Sequence, residues 1–258
     1  MRKLLFFAAL TLLLFSCKEE TSGNLAIPAP VPSGKDPVIF VHGFLASGDT
    51  YEKQVKRFTS NGYSLADLYA FDWNALGDCS VIERNLNTLV DSVLARTGKT
   101  KVHLVGHSAG TGVVQDYARA YGSKVKSLTL LAGFPPDRQD SIPILNIYST
   151  FDFIARGGRD VAGGTNIKQT DKDHYEVATC KESFEAMYKF FNAGAVPSEL
   201  EYTQENDVIL SGRAGFFGEN IFKANTFLYL RVSFFRAIWS QIRCGKRFLI
   251  FLKAKAIK

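Results

Sequence analysis

The chain has 258 residues, 46% of them hydrophobic and 13% aromatic, with 31 lysines and arginines against 25 aspartates and glutamates and a formal net charge of +6. The excess is local: Asn220 to Lys258 holds nine basic residues and no acidic one, which leaves 22 basic against 25 acidic and a formal −3 for everything before that tail. Charge therefore gives no ground for a nucleic-acid partner, and four histidines without His-Glu-x-x-His or Cys-x-x-Cys spacing give none for a metal or other cofactor.

In chain order, Met1-Arg2-Lys3 followed by the apolar run Leu4 to Phe15 reads as a secretory signal peptide, residues 1–16, too short to span a membrane. It ends in Leu14-Phe15-Ser16-Cys17, which is similar to the lipobox of bacterial lipoproteins. Cys17 is then the expected lipidated first residue, anchoring the chain at the cell envelope through acyl chains. Lys18-Glu19-Glu20 is similar to the surface-export signals of some Gram-negative lipoproteins. Pro28, Pro30, Pro32 and Pro37 make residues 17–36 an extended tether.

Residues 37–197 alternate strand-like and helix-like patterns. Strands are expected at 38–42, 68–72, 101–106, 127–131 and 144–149, with a further edge strand within Gly164 to Thr170. Helices are expected near 50–61, 80–97, 109–121 and 175–192. This alternation predicts an α/β fold, a mostly parallel sheet with helices on both faces, and about 160 residues suffice for one such core.

Gly106-His107-Ser108-Ala109-Gly110 joins the strand at 101–106 to the helix after it, the setting in which the serine of G-x-S-x-G becomes a nucleophile. Hydrolases with this turn place their triad in the order Ser, Asp or Glu, His, and of the histidines at 42, 103, 107 and 174 only His174 follows Ser108. Of the acids between them, Asp152 lies just past the strand at 144–149, at the carboxyl edge where open α/β sheets build sites. Asp116 falls on the helix after the turn and is expected to point away. The oxyanion needs backbone N–H donors. Ala109 is one candidate and Phe44, after Val38 to Gly43, the other, with Gly43, Gly106 and Gly110 as the glycines of loop and turn. His42 is expected to shape its turn, His103 to pack in the core, and Asp72 and Trp73 to be structural.

The segments V-I-F-V-H-G-F at 38–44, L-Y-A-F-D-W at 68–73, V-H-L-V-G-H-S-A-G at 102–110, L-N-I-Y-S-T-F-D at 145–152 and D-H-Y at 173–175 together resemble the α/β-hydrolase superfamily, and more closely the small lidless bacterial lipases and esterases of the class 2 lipase family. The resemblance implies a minimal α/β-hydrolase fold with Ser108 as nucleophile, Asp152 as acid, His174 as base, and Phe44 and Ala109 as oxyanion donors. The family usually has Met where this chain has Ala109, which implies an altered acyl pocket with activity retained, since the donor is backbone. Only Gly133 to Ser141 separates Ala132 from Ile142, where larger lipases insert a helical lid. The expected protein is thus a monomeric, lid-free, lipid-anchored lipase or esterase acting on ester or lipid substrates. Thioesterase, polyester depolymerase and acyltransferase chemistry would use the same residues, and a non-catalytic surface-binding lipoprotein is the alternative of another class.

The segment 198–258 is basic and aromatic. Asn206 to Arg213 resembles the opening strand of a small β-sandwich found on some secreted esterases, after which the pattern stops. Two readings stand: a truncated or frameshifted β domain, or a basic amphipathic helix carrying Ser233, Arg236, Ser240, Arg243 and Arg247 on a membrane surface. Both predict low order after about Asn225. Cys79 and Cys180 are candidates for a disulfide, and Cys244 is left over.

Overall fold

A computed structural model describes residues 29–155, 158–201, 207–213 and 227–233. The expected signal peptide, Cys17 and most of the tether lie outside the described residues, as do Arg236, Ser240, Arg243, Cys244 and Arg247.

Six parallel strands form one sheet in the order β2-β1-β3-β4-β5-β6: β1 Val38–Val41, β2 Leu68–Phe71, β3 Val102–His107, β4 Val125–Leu131, β5 Ile144–Ser149 and β6 Thr165–Gln169. The strands are rich in β-branched and aliphatic residues on both sides because both sheet faces are covered. Val38 and Phe40 face one core with Phe58 and Phe184, from α1 Glu52–Ser60 and α5 Lys181–Phe191. Ile39 and Val41 face a second core with Leu86, Val90 and Tyr117, from α2 Cys79–Thr97 and α3 Gly110–Tyr121. Asp78 caps α2 by accepting from the N–H of Ser80 at 2.8 Å and Val81 at 3.3 Å, and Gly98 closes it at φ +67°.

The helix expected over 175–192 is two helices, α4 Glu176–Thr179 and α5, broken at Cys180, whose backbone is extended (φ −73°, ψ 161°). The cause is a buried polar pair on α1. Gln54 Nε2 donates to the carbonyls of Ala178 at 2.8 Å and Cys180 at 3.1 Å, and Arg57 Nη1 to that of Thr179 at 2.7 Å. The carbonyls of Ala178 and Thr179 turn towards α1 instead of continuing one helix, while that of Cys180 also accepts from the Phe184 N–H at 3.2 Å and opens α5. Cys79 and Cys180 are both free thiols, so the candidate disulfide is not formed. In the carboxyl segment, β7 Asp207–Arg213 pairs antiparallel with β8 Phe227–Ser233. Strand structure at 227–233 differs from the low order expected after Asn225 and ends at the first residue of the expected helix; Phe, Tyr and Val in this stretch favour strand.

His103, in β3, is buried, bonds Ser127 Oγ through Nδ1 at 2.7 Å and stacks on Phe191 with ring centroids 4.3 Å apart. Burial pushes its pKa down to about 3, and that of His107 to about 4, so both are neutral in the folded protein. The unfolded chain takes up these protons from about pH 6.5 downward, so stability falls with acidification from there towards the folded values. Each histidine is expected to contribute a slope on the order of 1–2 kcal/mol per pH unit. His103→Gln, which does not titrate, should remove about one proton's worth of the pH dependence of the urea-unfolding free energy between pH 6.5 and 4.5. An unchanged slope would refute the assignment.

Candidate active site

The turn from β3 into α3 is built by close backbone approach. A Cβ on Gly106 would lie 2.6 Å from the Gly110 carbonyl oxygen, and one on Gly110 would lie 2.4 Å from the carbonyl oxygens of Val41 and His42. Strand, turn and helix therefore meet with no room for side chains, and Ser108 between them takes φ +51°, in the left-handed region. Its N–H is anchored to the Leu131 carbonyl at 2.9 Å, and its own carbonyl accepts from Thr111 Oγ1 at 2.6 Å. The side chain of Ser108 is left half-buried at the carboxyl edge of the sheet.

Beside it runs the loop after β1. A Cβ on Gly43 would stand 3.0 Å from Ser108 Cβ, which explains the glycine and puts the loop against the serine. Two residues after β2 hold this loop. Trp73 donates its backbone N–H to His42 Nε2 at 3.1 Å and its indole N–H to the His42 carbonyl at 2.9 Å, while Asp72 Oδ1 accepts from the Gly48 N–H at 2.6 Å. His42 Nε2 is thus an acceptor, and Nδ1–H donates to the Gly43 carbonyl at 2.8 Å. The N–H groups of Phe44 and Ala109 have no hydrogen-bond acceptor among the described residues.

The acid and base come from the loops after β5 and β6. Asp152 Oδ2 accepts from His174 Nδ1 at 2.7 Å, and Oδ1 accepts from the N–H groups of Ile154 at 2.8 Å and Ala155 at 3.0 Å. Burial works to raise the Asp152 carboxyl, and the His174 bond with the two amides outweighs it, holding the group below the usual carboxylate range. The carboxylate fixes the His174 tautomer, with the proton on Nδ1 and the lone pair on Nε2. Ser108 Oγ makes no hydrogen bond among the described residues, so the last link of a relay is open; such contacts tighten on substrate binding.

The six residues Ser108, Asp152, His174, Phe44, Ala109 and Gly43 thus come from four loops at one sheet edge, as their order along the chain predicts. Asp116 pairs with Arg119 on the exposed side of α3. His42 and Trp73 have the structural role expected of them, but the clamp between them on the loop after β1 was not foreseen, nor was a role for His107, whose Nε2 meets the His174 carbonyl at 2.9 Å. The only local signal for the first was Asp-Trp directly after a strand. Among the described residues no group of three or more His, Cys, Asp or Glu side chains is placed to hold a metal ion.

The family described as alpha/beta hydrolase fold matches residues 36–249. Among curated proteins, the chain is 32% identical over 127 residues to "Probable lysophospholipase BODYGUARD 3" of Arabidopsis thaliana, covering 45% of this chain and 25% of that protein. It is 28% identical over 138 residues to a triacylglycerol lipase of Vibrio cholerae, covering 52% of this chain and 43% of that protein. The chain spans less than half the length of the curated relatives it matches. Among solved structures it is similar to BpoC of Mycobacterium tuberculosis H37Rv, which bears a non-heme bromoperoxidase name, with a TM-score of 0.52 and 16% identity over 65% of this chain and 96% of that one. At that identity the likeness is one of fold.

Two glycines of α3 separate constraint from tolerance. Gly110→Ala should cost about 2–3 kcal/mol or more, since its methyl meets backbone that cannot step aside. Gly112→Ala, with nothing within 4 Å of the new methyl, should stabilise by about 0.5–1 kcal/mol. Urea unfolding of both variants checks the pair, and equal effects would contradict the packing.

Proposed function

The chain belongs to the alpha/beta hydrolase fold family, and from that membership and the geometry at the sheet edge we propose that it is a serine hydrolase cleaving carboxylic esters, a lipase or esterase. The observation that carries the reading is the 2.7 Å bond from His174 Nδ1–H to a buried Asp152 carboxylate, on loops flanking a serine at φ +51°. His174 Nε2 takes the proton as Ser108 Oγ attacks the ester carbonyl, then gives it to the leaving alcohol; Asp152 holds the ring and stabilises the imidazolium. The free N–H groups of Phe44 and Ala109 receive the charge that develops on the carbonyl oxygen, and water resolves the acyl-enzyme.

Substrate character follows from the rim. Phe44, Leu45, Phe134, Phe151, Phe153 and Ile154 are all exposed, on the loops after β1, β4 and β5 at the carboxyl edge. They offer apolar surface for an acyl chain. No helix lies between β4 and β5, so the reading is of an open site. The lipase names of two curated relatives support an ester substrate. The same proposal extends to location: an envelope lipoprotein held through Cys17, on the strength of Leu14-Phe15-Ser16-Cys17.

The test is fluorophosphonate labelling of the full chain beside hydrolysis of p-nitrophenyl esters of increasing acyl length. Ser108→Ala should abolish labelling and turnover together, and Asp152→Asn and His174→Ala should each lower kcat by about 10³–10⁴-fold. Activity should peak at short to medium chains without a jump when the substrate aggregates. Preferential turnover of thioesters or polyester film would name the thioesterase or depolymerase instead, and acyl transfer to an added alcohol the acyltransferase. A folded wild type that neither labels nor turns over would leave the non-catalytic binding lipoprotein.

A further inference from the structure

His107 is the last residue of β3, on the same face of the strand as His103 and Val105. That face carries it towards the loop between β6 and α4. The residue is buried, with 5% of its surface exposed. Burial depresses its basicity to a pKa of about 4, so it is neutral at ordinary pH and one nitrogen carries the single proton. Nε2 stands 2.9 Å from the main-chain carbonyl of His174, which can only accept, so Nε2 is the protonated nitrogen. The His107 and His174 rings lie 4.7 Å apart between centroids.

The other edge of the ring faces the loop after β1. A Cβ on Gly43 would come 3.2 Å from His107 Nδ1, and that nitrogen has no hydrogen-bond partner among the described residues. The ring therefore fills the space between the loop offering the Phe44 N–H and the loop bearing His174, directly adjoining Ser108 in the chain. The outer side of the His174 loop is tied separately: Asp173 Oδ1 accepts from the N–H groups of Tyr175 at 2.9 Å and Glu176 at 2.7 Å, and Glu176 Oε2 accepts from the Asp173 N–H at 2.9 Å. Asp152 orients the His174 ring from its Nδ1 side, but the main chain from which that ring hangs is held inward by His107.

We propose that His107 is a positioning residue for ester hydrolysis: its Nε2–H fixes the His174 main chain and its ring spaces the Gly43 loop, so that one neutral imidazole sets base and oxyanion donors in register with the nucleophile. The proposal rests on the assignment of Ser108, Asp152 and His174 made above. A base displaced by a fraction of an ångström to an ångström retains substrate binding and loses rate. The substitutions differ in reach: the amide nitrogen of Gln arrives where Nε2 stands, whereas that of Asn stops near Nδ1 and leaves the His174 carbonyl without its donor.

The experiment compares wild-type full chain with His107→Gln, His107→Asn and His107→Leu by kcat and KM on p-nitrophenyl butyrate, by the rate of fluorophosphonate labelling and by thermal unfolding. Asn and Leu should lower kcat about 10–100-fold with KM within about twofold, and slow labelling in parallel; Gln should recover most of both rates. If Leu fails to fold, the contrast of Gln with Asn carries the test. The proposal is overturned if Asn keeps wild-type kcat, or if Gln and Asn are equally impaired at matched stability. A wild type that is not labelled at Ser108 overturns the triad assignment itself, whereas a labelled wild type with fully active Asn and Leu variants overturns only the role of His107.

Discussion

The carboxyl edge of the sheet is organised by one packing constraint, the passage of α3 against the ends of β1 and β3 at a distance that excludes any side chain on Gly106 or Gly110. A helix pressed this close to strand ends forces the connecting turn to be tight, and the residue in its middle into the left-handed region. For a serine that conformation costs on the order of 1–3 kcal/mol. It is offset by the Leu131 and Thr111 bonds and by two cores that fix strand and helix independently. What the strain produces is a hydroxyl lifted out of the sheet, near two N–H groups that lack an acceptor among the described residues.

Around that turn, the loops are held by polar groups reaching across long sequence separations rather than by apolar packing. Trp73 grips the His42 carbonyl and His107 the His174 carbonyl, and Asp152 uses one oxygen on its own loop and the other on His174. The ionisation states suit these tasks. His107 serves as a fixed donor because burial removes its tendency to charge, while Asp152 stays an anion because three donors outweigh its burial. Neighbouring imidazoles 4.7 Å apart can therefore differ in role, one locked neutral and the other carboxylate-paired.

Much of this is legible in the sequence. The parallel strands announce themselves as β-branched and aliphatic runs buried on both sides, and β5 spans Ile144–Ser149 as expected from sequence. The order of Ser108, Asp152 and His174, each just past a strand, was enough to bring them to one edge. The rest was hidden for a physical reason: the break at Cys180 depends on Gln54 and Arg57, more than a hundred positions away, and side-chain capture of distant carbonyls leaves no periodic trace. Helical periodicity was correct over 176–179 and 181–191 and blind to a polar pair on another helix. In the carboxyl segment, low order was expected after Asn225, whereas Phe227–Ser233, rich in aromatic and β-branched residues, pairs with β7.

The all-parallel order of the six strands sets how the site is acquired during folding. No two neighbours in that sheet are joined by a hairpin, so every pairing waits on a crossover through a helix or long loop, and the chain earns little from local contacts early on. Phe44, Ser108, Asp152 and His174 hang on four different strands, so no fragment or half-formed intermediate assembles them. Assembly of this site is thus a late event that coincides with closure of the whole sheet, and the four residues stay apart until its last strand has docked.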